Sequence, residues 1–218
     1  MQNHRALVTR PNSDNTTRYI SAWAEKSIEI LKSKNFQVLD LAKERVSRNN
    51  FESMIKRHSP GFIFLNGHGG ADCVTGQNEE ILVKMNENEN VLHGSVTYAL
   101  SCKSAKTLGQ EVVKAGDTAY IGYQEDFFFL YSSAKMARPD TDETAGLFLT
   151  PANQVAHSLA KGHNVSESCL ITKKYFYKNI TKLLTSEASD NDREAISYLL
   201  WDMQNLIFHG DGQKKIKD

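Results

Sequence analysis

Two short apolar runs constrain this chain more than any other feature. Gly61-Phe62-Ile63-Phe64-Leu65 leads into Asn66-Gly67-His68-Gly69-Gly70, and Val96-Thr97-Tyr98-Ala99-Leu100 leads into Ser101-Cys102-Lys103-Ser104. A short, nearly continuous apolar run bounded by turn residues is the pattern of a strand buried on both faces, as in a parallel sheet. In open parallel sheets, reacting and binding groups gather just beyond the carboxyl ends of the strands. One run brings an imidazole to that edge and the other a thiol.

The rest of the chain supplies the alternation such a sheet needs. Ala6 to Thr9 reads as a first strand, followed by a turn-rich loop at Pro11 to Asn15. Ile20, Trp23, Ala24, Ile28 and Leu31 recur at helical spacing, which predicts a helix over about 17–34. Phe36 to Leu41 reads as a second strand, and Asn50 to His58 as a short helix capped by Asn49 or Asn50. Val74 to Gln77 and Ile81 to Val83 suggest a small hairpin, and Asn86 to Asn90 a solvated loop. Ala105 to Ala115 is expected to be helical, with Gly116 as its stop and Thr118 to Tyr123 as a further strand. Beyond it, 132–144 reads as a long mobile loop, and Thr150-Pro151 as the start of a helix to about Lys161. Two more amphipathic helices are expected over 168–184 and 192–208. Alternating strand and helix argue an α/β fold with a mostly parallel central sheet. With no repeat and no linker, 1–218 is expected to form a single domain.

Charge and cysteine usage narrow the function classes. The 26 basic and 26 acidic residues cancel, which argues against direct nucleic-acid binding. No window is long and apolar enough for a membrane span, and Met1 to Arg5 lacks an apolar leader. Cys73, Cys102 and Cys169 are odd in number and irregularly spaced. They form neither a disulfide framework nor a zinc motif, which suits a reducing, cytoplasmic setting.

A thiol is mostly protonated at neutral pH, and a neighbouring imidazole is its usual activator. Neighbouring parallel strands would bring Cys102 and His68 together despite their distance in sequence. Gly69 leaves its N–H open, and with the N–H of Cys102 it would form an oxyanion hole. The plainer alternatives are a structural histidine in a glycine turn and a cysteine serving as a small buried hydrophobe. Cys73 lies near His68 but in the hairpin, and Cys169 reads as core. His93, His157, His163 and His209 have no partner pattern. The aromatic run Phe127 to Tyr131 reads as core before it reads as a groove. A lipase-like use of Gly67-His68-Gly69-Gly70 requires a Gly-x-Ser-x-Gly elbow, which the chain lacks.

The ordered pair, an apolar strand ending in Asn66-Gly67-His68-Gly69 and another ending in Leu100-Ser101-Cys102-Lys103-Ser104, resembles the caspase-like cysteine peptidases. This broad group takes in caspases, gingipains, clostripain, separase and the bacterial CHAT proteases. The likeness is strongest to the CHAT branch, whose Leu-Ser-Cys turn is followed by a helix, an Ala-Gly and a strand ending Ile-Gly. Here these are Ala115-Gly116 and Ala119-Tyr120-Ile121-Gly122. The branch often closes with His-Gly-Asp-Pro, where this chain has His209-Gly210-Asp211-Gly212.

The resemblance, carried by 61–123, implies a caspase-haemoglobinase-like three-layer sandwich and metal-free endopeptidase activity on protein substrates. His68 would be the base, Cys102 the nucleophile, and Gly69 and Cys102 the oxyanion donors. No cofactor is implied. Regulation by a partner protein or an oligomer, and a role in antiviral defence or cell death, follow from the resemblance alone. Asp72, Glu125 and Asp126 are candidates for reading a basic substrate side chain, because each follows a core strand or the histidine loop. The competing readings are a catalytically inactive relative kept as a binding module, and an unrelated α/β domain.

Overall fold

The strand–helix alternation is present in the computed structural model, which describes residues 4–185 and 190–216. Met1 to Asn3, part of the segment read as lacking a leader, lie outside the described residues. In chain order the elements are β1 (Arg5–Arg10), α1 (Asn15–Ser33), β2 (Gln37–Ala42), α2 (Arg48–His58) and β3 (Phe62–Asn66). A hairpin of β4 (Cys73–Thr75) and β5 (Ile81–Lys84) follows, then β6 (Val96–Leu100), α3 (Leu108–Val112) and β7 (Ala119–Tyr123). The chain closes with α4 (Glu143–Ala160), α5 (Val165–Leu183), α6 (Asp190–Asn205) and β8 (Leu206–Gly210).

Six strands form one sheet in the order β2-β1-β3-β6-β7-β8, all parallel except the last. Helices cover both faces. Phe62, Phe64, Val96, Tyr98, Ile121 and Tyr123 point into a core shared with α1, α4, α5 and α6. Ile63, Leu65, Ala99 and Tyr120 point to the opposite core, shared with α2, α3 and the hairpin. Every residue of β3, β6 and β7 is buried, so the apolar runs form strands with no solvated face. The result is a three-layer α/β sandwich. None of the described helices is long and apolar enough to cross a membrane.

Several local expectations change. The helix after Cys102 is shorter than its apolar spacing suggests: 101–107 is a chain of turns, and regular helix begins only at Leu108. Lys103 adopts φ of 56°, a left-handed conformation that α-helix cannot continue through. α2 begins two residues before the expected start, with Ser47 as its cap. α4 starts at Glu143, capped by Asp142, and runs through Pro151. Proline removes the hydrogen bond to the carbonyl four residues back. That carbonyl, Leu147 O, instead accepts from Asn179 Nδ2 at 2.7 Å, so the polar group is satisfied from α5.

The segment 132–144, expected to be a mobile loop, is tied down. It forms two single 3-10 turns, Trp23 Nε1 donates to Pro139 O at 2.9 Å, and Tyr19 Oη donates to Asp142 Oδ2 at 2.8 Å. The last expected helix ends early. Leu206 to Phe208 pair antiparallel with β7 as part of β8 and close the sheet. Within 86–90, Asn88 is buried rather than solvated, and its amide donates to Leu82 O and Glu52.

Candidate active site

The site begins with strand register. β3 and β6 are adjacent and parallel, with Asn66 opposite Leu100. His68 and Cys102 each lie two residues beyond that pair, so both are delivered to the same carboxyl edge. Asn66 anchors the histidine turn to β1: its N–H donates to Thr9 Oγ1 at 2.9 Å and its amide Nδ2 to Thr9 O at 2.9 Å. The turns are also stitched to each other. Ala71 O accepts from the N–H of Leu108 at 2.8 Å and of Thr107 at 3.2 Å. Gly69 packs so closely that a Cβ there would stand 2.2 Å from Ser101 Oγ and 2.9 Å from Cys102 O, so only glycine fits.

His68 has a partner that sequence reasoning missed. Its Nε2 donates to Asp14 Oδ2 at 2.7 Å. Asp14 is also the N-cap of α1: its Oδ1 accepts from Thr17 N, and Thr17 Oγ1 accepts from Asp14 N, a complete capping box. One carboxylate therefore fixes the start of a helix with one oxygen and an imidazole with the other. Burial pushes the Asp14 carboxyl up, but the Thr17 N–H and His68 outweigh it, and its pKa falls below the usual carboxylate value. With Nε2 carrying the proton toward Asp14, Nδ1 is the basic nitrogen. The side chain of His68 is 37% exposed, so its ring reaches solvent.

Cys102 is free and half-buried. Its Sγ lies 3.8 Å from Phe127 O, in an extended strap that runs from Gln124 to Ser132 after β7. Among the described residues no hydrogen bond joins Cys102 to His68, and none uses the N–H of Gly69 or Cys102. The two N–H groups expected to act as oxyanion donors are thus without internal partners. Burial pushes the Cys102 thiol above its usual pKa and nearby Asp126 adds to this, while the Phe127 backbone and Lys103 work against it. The adjacent left-handed Lys103 is a strained residue of the kind that collects at reactive sites.

Of the acids expected to read a basic side chain, Glu125 pairs with Lys106 Nζ at 2.8 Å and Asp126 with Lys103 Nζ at 2.9 Å, both in solvent-accessible ion pairs. Asp72 sits at the base of the hairpin, where its carbonyl accepts from Met85 N, and its carboxylate raises the half-buried Cys73 thiol after burial itself. Cys169 is buried on α5, as expected. His157 is held against Ser27 at 3.1 Å, His163 against Glu167, and His209 Nε2 donates to Ala105 O at 2.8 Å, tying the chain after Cys102 to β8. A surface hollow of about 680 Å³ is lined by Trp23, Glu143, Thr150, Asn179 and Lys182. It contains none of the candidate residues, and its size alone does not make it the reactive site.

Comparison with known proteins gives no matching family model and no matching curated relative.

Proposed function

We propose that the chain is a cysteine endopeptidase of caspase-like fold, with Cys102 as nucleophile, His68 as base and Asp14 as the group that orients His68. The observation that carries the reading is the delivery of His68 and Cys102 from paired positions on two adjacent parallel strands, with the imidazole held by a carboxylate on its far nitrogen. His68 Nδ1 takes the thiol proton, and the thiolate attacks the substrate carbonyl carbon. The carbonyl π electrons move to oxygen, where the N–H groups of Gly69 and Cys102 receive the charge. The imidazolium then protonates the leaving amine, the C–N bond breaks, and a thioester remains. Water, deprotonated by His68, resolves it to a carboxylic acid and the free thiol.

Proteome-wide mass spectrometry of new peptide termini, with wild type against Cys102→Ala, tests the reading. Termini that appear only with wild type support it. Identical termini from both proteins would sink it.

One observation favours a second reading, a binding module that has lost turnover: the thiol is capped by the Phe127 carbonyl, and burial raises its pKa. The two part on thiol reactivity. A peptidase alkylates at Cys102 in a His68-dependent manner, and a binding module does not.

A further inference from the structure

One face of α5 is buried and the other is unclaimed. Ser168, Thr172, Phe176, Ile180 and Leu183 form its inner stripe. On the outer side Leu170, Tyr177 and Leu184, the last being the cap just past the helix end, are 56%, 60% and 66% exposed. Single exposed apolar residues are ordinary, but these three stand seven residues apart. Seven residues make two turns of helix, so the three lie in line along one side of α5. At 1.5 Å per residue the line is about 21 Å long.

The second wall comes from α6, which packs along α5. α6 turns Ala195, Leu199 and Asp202 into the core. Its Met203 and Gln204 line a shallow hollow of about 330 Å³ with Leu170, Lys173, Lys174 and Tyr177. Leu200, one turn before Gln204 on the same side of α6, is also exposed. The charge on this face is one-sided. From Ser168 to Leu183 the chain carries Lys173, Lys174, Lys178 and Lys182 and no acid, although the chain as a whole is neutral. None of the four lysines is in an ion pair among the described residues. Lys174 and Lys178, four apart and both exposed, form one edge, and Lys173 sits in the hollow.

Spacing and charge together select an occupant. Apolar groups seven apart are met by a second helix, whose own side chains repeat every three to four residues and drop between them. An extended chain shows the same face about every 6.6 Å and misses a spacing of about 10.5 Å. A second copy of this chain would set two rows of lysines in one seam with no carboxylate between them. We propose that the α5–α6 face is the docking groove for an amphipathic helix of a partner protein, about four turns long. Its apolar side packs on Leu170, Tyr177 and Leu184, and its acids meet Lys173, Lys174 and Lys178. Met203, unbranched and adaptable, fits the groove to the incoming side chains. The inference goes beyond the chemistry at Cys102 and stands whether or not that thiol cleaves peptides.

The test uses the full chain and three fluorescein-labelled peptides of about 18 residues, five turns, each stapled as a helix. They share one leucine face with heptad spacing and differ only in the flanking residues: glutamate, serine or lysine. Fluorescence anisotropy gives the affinities. The glutamate peptide is expected to bind about 10-fold tighter than the serine peptide, and the lysine peptide more weakly than either. Lys174→Glu combined with Lys178→Glu is expected to reverse the order of the glutamate and lysine peptides. Tyr177→Ala is expected to weaken all three by about 10-fold, the loss of one central anchor. These side chains are exposed, so an unchanged urea midpoint confirms that each variant folds. Equal binding of the glutamate and lysine peptides, an order that survives the double substitution, or no binding at all would overturn the proposal. Binding to phosphatidylglycerol vesicles without binding of the glutamate peptide would assign the face to a lipid surface, and a dimer dispersed by Leu170→Glu would assign it to a second copy; either result overturns it.

Discussion

The two strand ends that make up the site are prepared differently. At the end of β3, His68 is partly open to solvent and locked by a charged hydrogen bond to the cap of α1. At the end of β6, Cys102 is half-buried, its thiol pKa is raised by burial, and a strap carbonyl covers it. On the proposed reading, the base is in position before any ligand arrives, whereas the nucleophile waits for a chain segment to move. That reading predicts that access to the sulfur limits reactivity more than the quality of the base. Catalytic hydrogen bonds often tighten only in the complex, so the missing His68–Cys102 bond fits a closed resting state.

The largest effect expected is on turnover. Cys102→Ala should reduce peptide hydrolysis to background, a loss on the order of 10⁶-fold where a nucleophile acts as a unit with its base. Product formation by the variant would place the chemistry elsewhere. Next comes the contrast between His68 and His157. His157 is partly buried beside Ser27, and burial lowers its pKa to about 4. As pH falls from 6.5 to about 4, the unfolded chain takes up a proton that the folded chain refuses. Stability is thus present above that window and lost within it, by up to roughly 3 kcal/mol. Urea titrations of wild type and His157→Gln across this range should show the loss in wild type alone.

Asp14→Asn sharpens the comparison from the β3 side. Asparagine caps a helix as well as aspartate, so stability should hold. A hydrogen bond to a charged group is worth about 1.5–3 kcal/mol, so turnover should fall by about 10- to 100-fold. Asp14→Ala should add about 1 kcal/mol of lost stability through the cap. Equal turnover in Asp14→Asn would show that His68 does not need its carboxylate. The smallest effect tests the gate: Trp201→Phe removes the indole N–H that holds Asp126 O. One neutral bond is worth about 0.5–1.5 kcal/mol, so iodoacetamide should reach Cys102 about two- to tenfold faster. A slower rate would mean that the strap aids the thiol and does not cover it.

How much of this was legible in the sequence follows from how local each signal is. The core strands and the turns beyond them are contiguous runs, so β3, β6, His68 and Cys102 could be read directly. Asp14 could be read only as part of a turn-rich loop, because its partner lies 54 residues away and strand order alone joins them. Asp202 leaves a trace in the sequence: Ala195, Leu199, Asp202 and Leu206 recur at intervals of four, three and four, so an acid occupies a place in an apolar stripe. Leu206 to Phe208 carry the period of the preceding helix and become a strand only because β7 offers an unpaired edge. Pro151 reads as a helix start and sits mid-helix because Asn179, on another helix, satisfies the carbonyl it orphans.

The most direct measurement is the rate at which a peptidyl acyloxymethylketone modifies Cys102 in wild type and in His68→Ala, with Cys73 in the same molecule as the reference. If the imidazole and the thiol act as a pair, Cys102 should slow by about 10²–10⁴-fold while Cys73 keeps its rate. Equal Cys102 rates in the two proteins would contradict the pairing on which the site is built.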